Sequence, residues 1–407
     1  MKILLSVCGS ISAYKSIDLA RSLVNAGHEV KVVLTKGALK FVVPNVYTYL
    51  GVEEVYLSED DFSHKKVLHV DLARWADTLV IAPLSANTLA RLARGEASDL
   101  LSSIFLAFEP TKPIAVFPAM NTLMLKHPFT QENISDLKKL CTLNNLFVSP
   151  TSSGILACEE VGEGKLPAVE EIAQLIAILR PPFNLDGKRK KIVITTGATI
   201  SPIDPVRYLT NSSSGITGYY LALSALSRGY EVVVIAGKYA SSELNLITKH
   251  PFYKLTRVVT VKEMSDAVFS EIKNAEAYIS AAAISDWEFD IAKEKIKKEK
   301  SNESLPIKKA QDILRSVIDQ YTGKIKIVGF AAETNLTDDV LIAKFRSKPV
   351  DLLVGTKVDN GLGTKTKEQG FGVDEASYRF VEEGFITNEK ALSKTELAEV
   401  IFGRLKL

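Results

Sequence analysis

Residues 2–35 read KILLSVCGSISAYKSIDLARSLVNAGHEVKVVLT, and the order of residue types in this stretch decides the fold. KILLSV is a continuous apolar run, as in a strand buried on both faces. A Gly/Ser turn follows, then SIDLARSLVNAG with helical spacing ended by Gly27, then a second strand, HEVKVVLT. The same order returns in residues 190–237, as KKIVITTG, a long polar loop, TGYYLALSALSRG stopped by Gly229, and EVVVIAG. Strand, loop, helix, glycine and a Glu-Val strand make the first βαβ unit of a doubly wound parallel sheet, so two such Rossmann-like α/β domains are expected. Between them RPPFNLDGKRKK, residues 180–191, has the proline pair, glycine and charge of a linker, which divides the chain into 1–185 and 186–407.

Further apolar runs continue the plan: TLVIAPL and PIAVFPAMN in the first half, EAYISAAAISD, KIVGFAAET and DLLVGT in the second. Ligands of an open parallel sheet gather at the carboxyl ends of its strands, so the small and polar residues that close these runs are where chemistry is expected. The 407 residues, 46% hydrophobic and 24% charged, suffice for two cores. A balance of 50 Lys+Arg against 48 Asp+Glu argues against a nucleic-acid or anionic-membrane partner and for small molecules. No apolar run has the length of a bilayer span, and the start MKILLSVCGS is broken too early by Gly9 for a signal peptide. Cys8, Cys141 and Cys158 lack metal or disulfide spacing, which suits the cytoplasm.

The loop VCGSISAYKS lacks the G-x-G-x-x-G of a dinucleotide site. Gly9, Ser10 and Ser12 still offer backbone and hydroxyl donors at a helix start, where the dipole favours a phosphate; tight turn geometry alone is the alternative. IAPLSANTLARLA repeats the arrangement with Ser85, Asn87 and Thr88. His69 begins HVDLARWAD, Asn121 closes PAMN, and the glycines at 154, 162 and 164 around Cys158 give TSSGILACEEVGEGKL the look of a mobile lid. Each of these residues alone reads as structural. Taken in order, G-S-I-S-A-Y-K, H-V-D-L-A-R-W-A-D, A-P-L-S-A-N-T, P-A-M-N and A-C-x-x-x-G-x-G resemble the homo-oligomeric flavin-containing cysteine decarboxylase family. In particular they resemble the decarboxylase half of the bifunctional phosphopantothenoylcysteine decarboxylase/phosphopantothenate-cysteine ligases.

That resemblance implies a flavodoxin-like flavoprotein domain with FMN as cofactor. It implies His69 beside the flavin, Asn121 on the substrate carboxylate, and Cys158 as proton donor to the intermediate. Losing CO2 from the cysteine end leaves a carbanion with no electron sink, and flavin chemistry at the thiol creates one. An acid must then return a proton. Lys165 stands where the family usually has arginine, a point charge in place of a bidentate fork.

In the second half TTGATISPIDPVRYLTNSSSG carries Arg207, Asn211 and three serines, and reads either as a wrap for a phosphorylated substrate or as a Ser-rich surface loop. AAAISDW puts Asp286 past a strand end, suited to Mg2+ on a triphosphate. The lysine-rich KEKIKKEK that follows ordinarily reads as a solvated face. The order D-P-V-R-Y-x-x-N-x-S-S-G, A-A-x-x-D, E-K-I-K-K, D-I-L and G-F-A-A-E-T resembles the phosphopantothenate-cysteine ligase family. It implies CTP as co-substrate, contacted by Ser280, Ala281, Ala282, Asp286 and Lys295. Further contacts are implied at Gln311, Asp312, Ile313, Leu314, Phe330, Lys344 and Lys348. Asn211 is implied to act on an acyl-nucleotide intermediate, with Lys295 offsetting phosphate charge. Gln311 replaces the family's usual proline, and Gly355-Thr356 replaces its usual Ala-Asn.

The expected function is a bifunctional enzyme of coenzyme A biosynthesis. It ligates 4′-phosphopantothenate to cysteine and then decarboxylates the product to 4′-phosphopantetheine. The family also implies a homo-oligomer, with flavin-domain trimers assembled into a dodecamer. The rival readings are a flavin-binding regulatory protein of the same fold and a two-domain NAD-dependent oxidoreductase, which lacks its glycine fingerprint here.

Overall fold

A computed structural model describes residues 1–60, 67–139, 146–155, 161–179, 189–296, 305–358 and 375–407. The chain forms two compact units, Met1–Lys188 and Arg189–Leu407. In the first, six parallel strands are β1 (Lys2–Val7), β2 (Glu29–Leu34), β3 (Glu54–Leu57), β4 (Thr78–Leu84), β5 (Ile114–Pro118) and β6 (Leu146–Val148). Their order is β3-β2-β1-β4-β5-β6. Ile3, Leu4 and Leu5 of β1 and every residue of β4 are buried, because helices cover both faces of a parallel sheet. Leu4, Leu79, Ile81 and Val116 pack with Leu89, Leu92, Leu101 and Ile104 in one core cluster. Each such side chain contributes roughly 1.5–3 kcal/mol by burial. A separate hairpin pairs β7 (Ser152–Ile155) with β8 (Val161–Lys165).

The second unit repeats the plan and extends it. Its eight-stranded sheet contains β9 (Lys191–Thr196), β12 (Glu231–Gly237), β13 (Tyr253–Val258), β14 (Ala275–Ser280), β17 (Lys326–Glu333), β18 (Leu352–Lys357), β19 (Glu375–Glu382) and β20 (Phe385–Ser393). The order is β13-β12-β9-β14-β17-β18-β19-β20. Two small ribbons complete it: β10 (Ile200–Pro202) with β11 (Tyr208–Thr210), and β15 (Trp287–Phe289) with β16 (Ile307–Lys309).

The first six strands of the large sheet are parallel, whereas β19 and β20 add antiparallel, which the sequence reading does not anticipate. A two-residue loop joins β19 to β20 and accounts for that antiparallel pair. Glu383 (φ 49°) and Gly384 (φ 84°) both have positive φ, the backbone of a type I′ hairpin turn whose twist suits the flanking strands. In both units the winding direction reverses beside the first strand, between β1 and β4 and between β9 and β14, and ligand crevices form at such switch points.

Candidate functional site

At the first switch point lies a cavity of about 540 Å3, lined by the loop after β1, the start of helix Ala86–Arg94 after β4, the turn after β5, and the end of β8. The loop after β1 is shaped by a backbone crossing. A Cβ on Gly9 would stand 2.8 Å from the Gly37 backbone, so no side chain fits there. Ser10 caps the short 3-10 turn Ile11–Tyr14 by accepting from Ser12 N. Ser85 caps the helix Ala86–Arg94, accepting from Thr88 N at 3.3 Å, and Gly95 closes that helix in a left-handed conformation (φ 67°). Gly9, Ser10, Ser12 and Ser85 all face the cavity.

Asn87 is exposed and off its wall, and Thr88 is buried, its hydroxyl receiving the Ser85 hydroxyl at 3.2 Å. Beneath them Cys8 is fully buried. Burial pushes its thiol up to about 11, against the lowering effect of hydrogen bonds with Thr88 and Ser85, so it is a packed thiol.

Asn121 lines the cavity as the N-cap of helix Thr122–Lys126, its Oδ1 accepting from Leu123 N at 2.8 Å. The β7–β8 hairpin docks on this turn. Met120 N donates to Gly164 O at 3.0 Å, Thr122 Oγ1 donates to Glu163 O at 2.7 Å, and Lys126 pairs with Glu163 at 3.6 Å. Its glycines are steric requirements: a Cβ on Gly162 would lie 2.2 Å from Thr122 Oγ1, and one on Gly164 (φ 109°) 2.2 Å from Met120 O. Cys158 lies outside the described residues, in the sequence between the two strands. His69 is half-buried in the first turn of helix Leu68–Trp75 and is not on the cavity wall. Lys165, singled out in the sequence as standing where the family usually has arginine, lines it, and so does Lys15, which the sequence does not single out.

The second switch point carries a cavity of about 640 Å3. Of the residues singled out in the sequence, Ser280, Ala281, Ala282, Asp286, Gln311, Asp312, Ile313, Leu314, Phe330 and Lys348 line it. The segment after β14 runs beside the loop after β9, with Ala281 N on Thr195 O at 3.0 Å and Ala283 N on Gly197 O at 2.8 Å. Asp286 is exposed. Asp312 caps helix Ile313–Tyr321 and pairs with Lys348 at 2.6 Å. Lys344 is off the wall and pairs with Glu333. Asn211, also off the wall, donates to Ala283 O at 3.2 Å and Ile284 O at 3.3 Å, carbonyls of two wall residues.

Lys295 is exposed and not on the wall, but its segment is anchored. The Asp204 carboxylate accepts from Val206 N and Arg207 N at 2.8 Å and from Ile296 N at 3.2 Å, and Arg207 donates to Ile296 O at 2.8 Å. The Arg207 guanidinium, first among these contacts, holds the Asp204 carboxyl well below the usual carboxylate range. Lys309, Thr356, Tyr378 and Lys394 also line the cavity. Tyr378 and Lys394 come from β19 and the C-terminal helix, where no motif marks them; the alternation in EASYRFVE and the Glu-Gly turn were the available signal. Among the described residues no group of three or more His, Cys, Asp or Glu is arranged to hold a metal ion.

Residues 1–180 match the Flavoprotein family model, and residues 187–406 match the DNA/pantothenate metabolism flavoprotein C-terminal domain. The chain is 34% identical over 409 residues to the coenzyme A biosynthesis bifunctional protein CoaBC of Vibrio vulnificus (strain CMCP6), covering 98% of this chain and 97% of that one. It is 36% identical over 382 residues to the protein of the same name from Bacillus subtilis, covering 91% and 88%. A solved PPC decarboxylase mutant complexed with pantothenoylaminoethenethiol is 37% identical and covers 43% of this chain and 95% of its own, with a TM-score of 0.38.

Proposed function

The chain belongs to the family of bifunctional coenzyme A biosynthesis proteins, and from that membership we propose how its two units divide the work. It is a bifunctional enzyme. Its flavoprotein half is a phosphopantothenoylcysteine decarboxylase with FMN as cofactor, and its C-terminal half is the phosphopantothenate-cysteine ligase. In our reading residues 1–185 carry the decarboxylase and residues 186–407 the ligase. The observation that carries this division is that each unit has a cavity at its own switch point, lined by the residues of its own motif set.

For the ligase, CTP is the co-substrate. A carboxylate is a poor acyl donor until its oxygen becomes a leaving group, so the phosphopantothenate carboxylate attacks the α-phosphate, giving an acyl-cytidylate and pyrophosphate. Asp286 would hold Mg2+, which would supply stabilisation of phosphate charge, while Lys295 and Lys348 offset that charge. Arg207 and Asp204 are positioning residues that hold Ile296, and so its neighbour Lys295, against the loop after β10. Asn211 presents its amide to the acyl-cytidylate, and the cysteine amine then displaces CMP.

For the decarboxylase, the donor set of the first cavity fits FMN: serine hydroxyls, helix-start backbone, two ammonium groups and, among the described residues, no carboxylate. Bound FMN supplies oxidation of the substrate thiol and return of a hydride. Asn121 orients the substrate carboxylate, His69 organises the thiol, and Cys158 donates the final proton.

We assign the enzyme to the cytoplasm as a homo-oligomer, a dodecamer built on flavin-domain trimers; among the described residues no helix is long and apolar enough to cross a membrane. The test is purified protein. It should be yellow and release FMN on denaturation. With phosphopantothenate, cysteine and Mg2+ it should form phosphopantothenoylcysteine faster with CTP than with ATP, and then release CO2. A colourless protein that FMN cannot reconstitute, or one that releases pyrophosphate with neither nucleotide, refutes the reading.

A further inference from the structure

The first cavity holds two cations, counted above in its donor set but given no particular ligand atom. Lys15 opens helix Lys15–Asn25 and Lys165 ends β8, and both side chains are half-buried on the cavity wall. Neighbouring cations are neutralised: Lys126 pairs with Glu163, and Arg91 with Asp99 at 2.6 Å. Lys15 and Lys165 have no ion-pair or hydrogen-bond partner among the described residues, and no Asp or Glu there lines the cavity. Burial first, and Lys165 second, pull the Lys15 ammonium below its ordinary pKa, against a smaller opposing pull from Glu170, which is not on the cavity wall. Two like charges on one wall that carries no carboxylate among the described residues favour an anion between them.

We propose that Lys15 and Lys165 form a phosphate-binding pair that grips a phosphomonoester dianion of a ligand in this cavity. The inference rests on the decarboxylase reading of the first unit. Two ammonium groups match two negative charges, and the Ser12 hydroxyl on the same wall supplies a further donor. The carboxylate destined to leave as CO2 is the wrong occupant. Two cations would stabilise it in the ground state and lose that interaction as its charge departs, which slows the reaction. The dianion has two sources, the 4′-phosphate of the substrate and the phosphate of FMN.

The experiment uses the full chain with Lys15→Gln and Lys165→Gln, and with Lys→Arg at both positions. Two preferences are measured. One is KM and kcat for decarboxylation of the phosphorylated substrate against its dephosphorylated form. The other is equilibrium binding of FMN against riboflavin to the flavin-stripped protein. Losing one charge-assisted contact should weaken the phosphorylated member of one pair about 10- to 100-fold, leave the other member unchanged, and be largely restored by arginine. Loss in the substrate pair identifies the substrate phosphate; loss in the flavin pair identifies the cofactor phosphate.

A measurement free of variants accompanies these: amine acylation of the unmodified protein, mapped by mass spectrometry, should slow at Lys15 and Lys165 when the phosphorylated ligand is added. Both preferences unchanged in both glutamine variants, or no protection of either lysine, overturns the inference while an active unmodified enzyme keeps the parent reading intact. An unmodified protein that binds no flavin overturns both.

Discussion

Replacing Gly164 by alanine tests whether the β7–β8 hairpin must dock on the Asn121 turn for decarboxylation. Alanine at φ 109° is strained by about 1–3 kcal/mol. Its Cβ would also stand 2.2 Å from Met120 O, so β8 has to lift away. Lifting breaks the Met120 N to Gly164 O bond (3.0 Å) and the Thr122 Oγ1 to Glu163 O bond (2.7 Å). Each is worth about 1 kcal/mol net. Together these terms shift the docking equilibrium by roughly 3–5 kcal/mol, two or more powers of ten in its constant. The hairpin carries Lys165 to the cavity and, in the sequence, holds Cys158 between its strands. CO2 release by Gly164→Ala should therefore fall at least about tenfold. Ligation by the same molecules, measured as pyrophosphate release, should stay within about twofold and serves as the internal control. Hydrogen exchange at the Met120 amide should accelerate. A variant that decarboxylates at the unmodified rate while that amide exchanges fast would show that hairpin docking is irrelevant to the chemistry.

Cys158→Ala, in a single anaerobic turnover, should release CO2 and leave the flavin bleached with little phosphopantetheine formed, whereas His69→Ala should leave the flavin oxidised; equal product from either variant and the parent enzyme removes that residue from the mechanism. Asn211→Ala should still release one equivalent of pyrophosphate per site but form amide at least about fivefold more slowly, because a lost hydrogen bond costs about 1 kcal/mol or more; unchanged amide formation in rapid-quench experiments contradicts its role. Burial, then Arg189, lowers His250 from 6.5 to about 3, so the folded second unit binds fewer protons than its unfolded chain in that window. Its contribution to stability is complete above pH 6.5 and is lost as pH falls toward about 3, and His250→Phe should flatten the denaturant midpoint against pH there; a curve parallel to the parent's disproves the assignment.

The two sheets were legible because parallel strands buried on both faces leave unbroken apolar runs, as in KILLSV and EVVVIAG. The sequence reading passed over β3 and β13 for the opposite reason. They are edge strands, and EVYL and YKLTRV mix exposed charge with apolar residues, which weakens the run without giving clean alternation. The first cavity was legible in Gly9, Ser10, Ser85 and Asn121, since strand-end loops are local in sequence. Lys15 and Lys165 were not joined, because only the hairpin docked through Gly162 and Gly164 brings β8 to the loop after β1. Those glycines looked like hinges, and sequence alone cannot separate freedom from clearance. Tyr378 and Lys394 lie on either side of a two-residue turn that is far along the sequence from the motifs they join.

Since Gly9 meets Gly37 backbone to backbone, the loop after β1 owes its shape to the polypeptide and not to what it binds. A loop ordered only by its ligand would charge about 1–2 kcal/mol of conformational entropy per residue against affinity. Here that loss has already been met in folding. In calorimetric terms, flavin uptake at this loop should resemble filling a mould: its heat-capacity change reflects the surface covered by the isoalloxazine ring, with no added contribution from chain ordering.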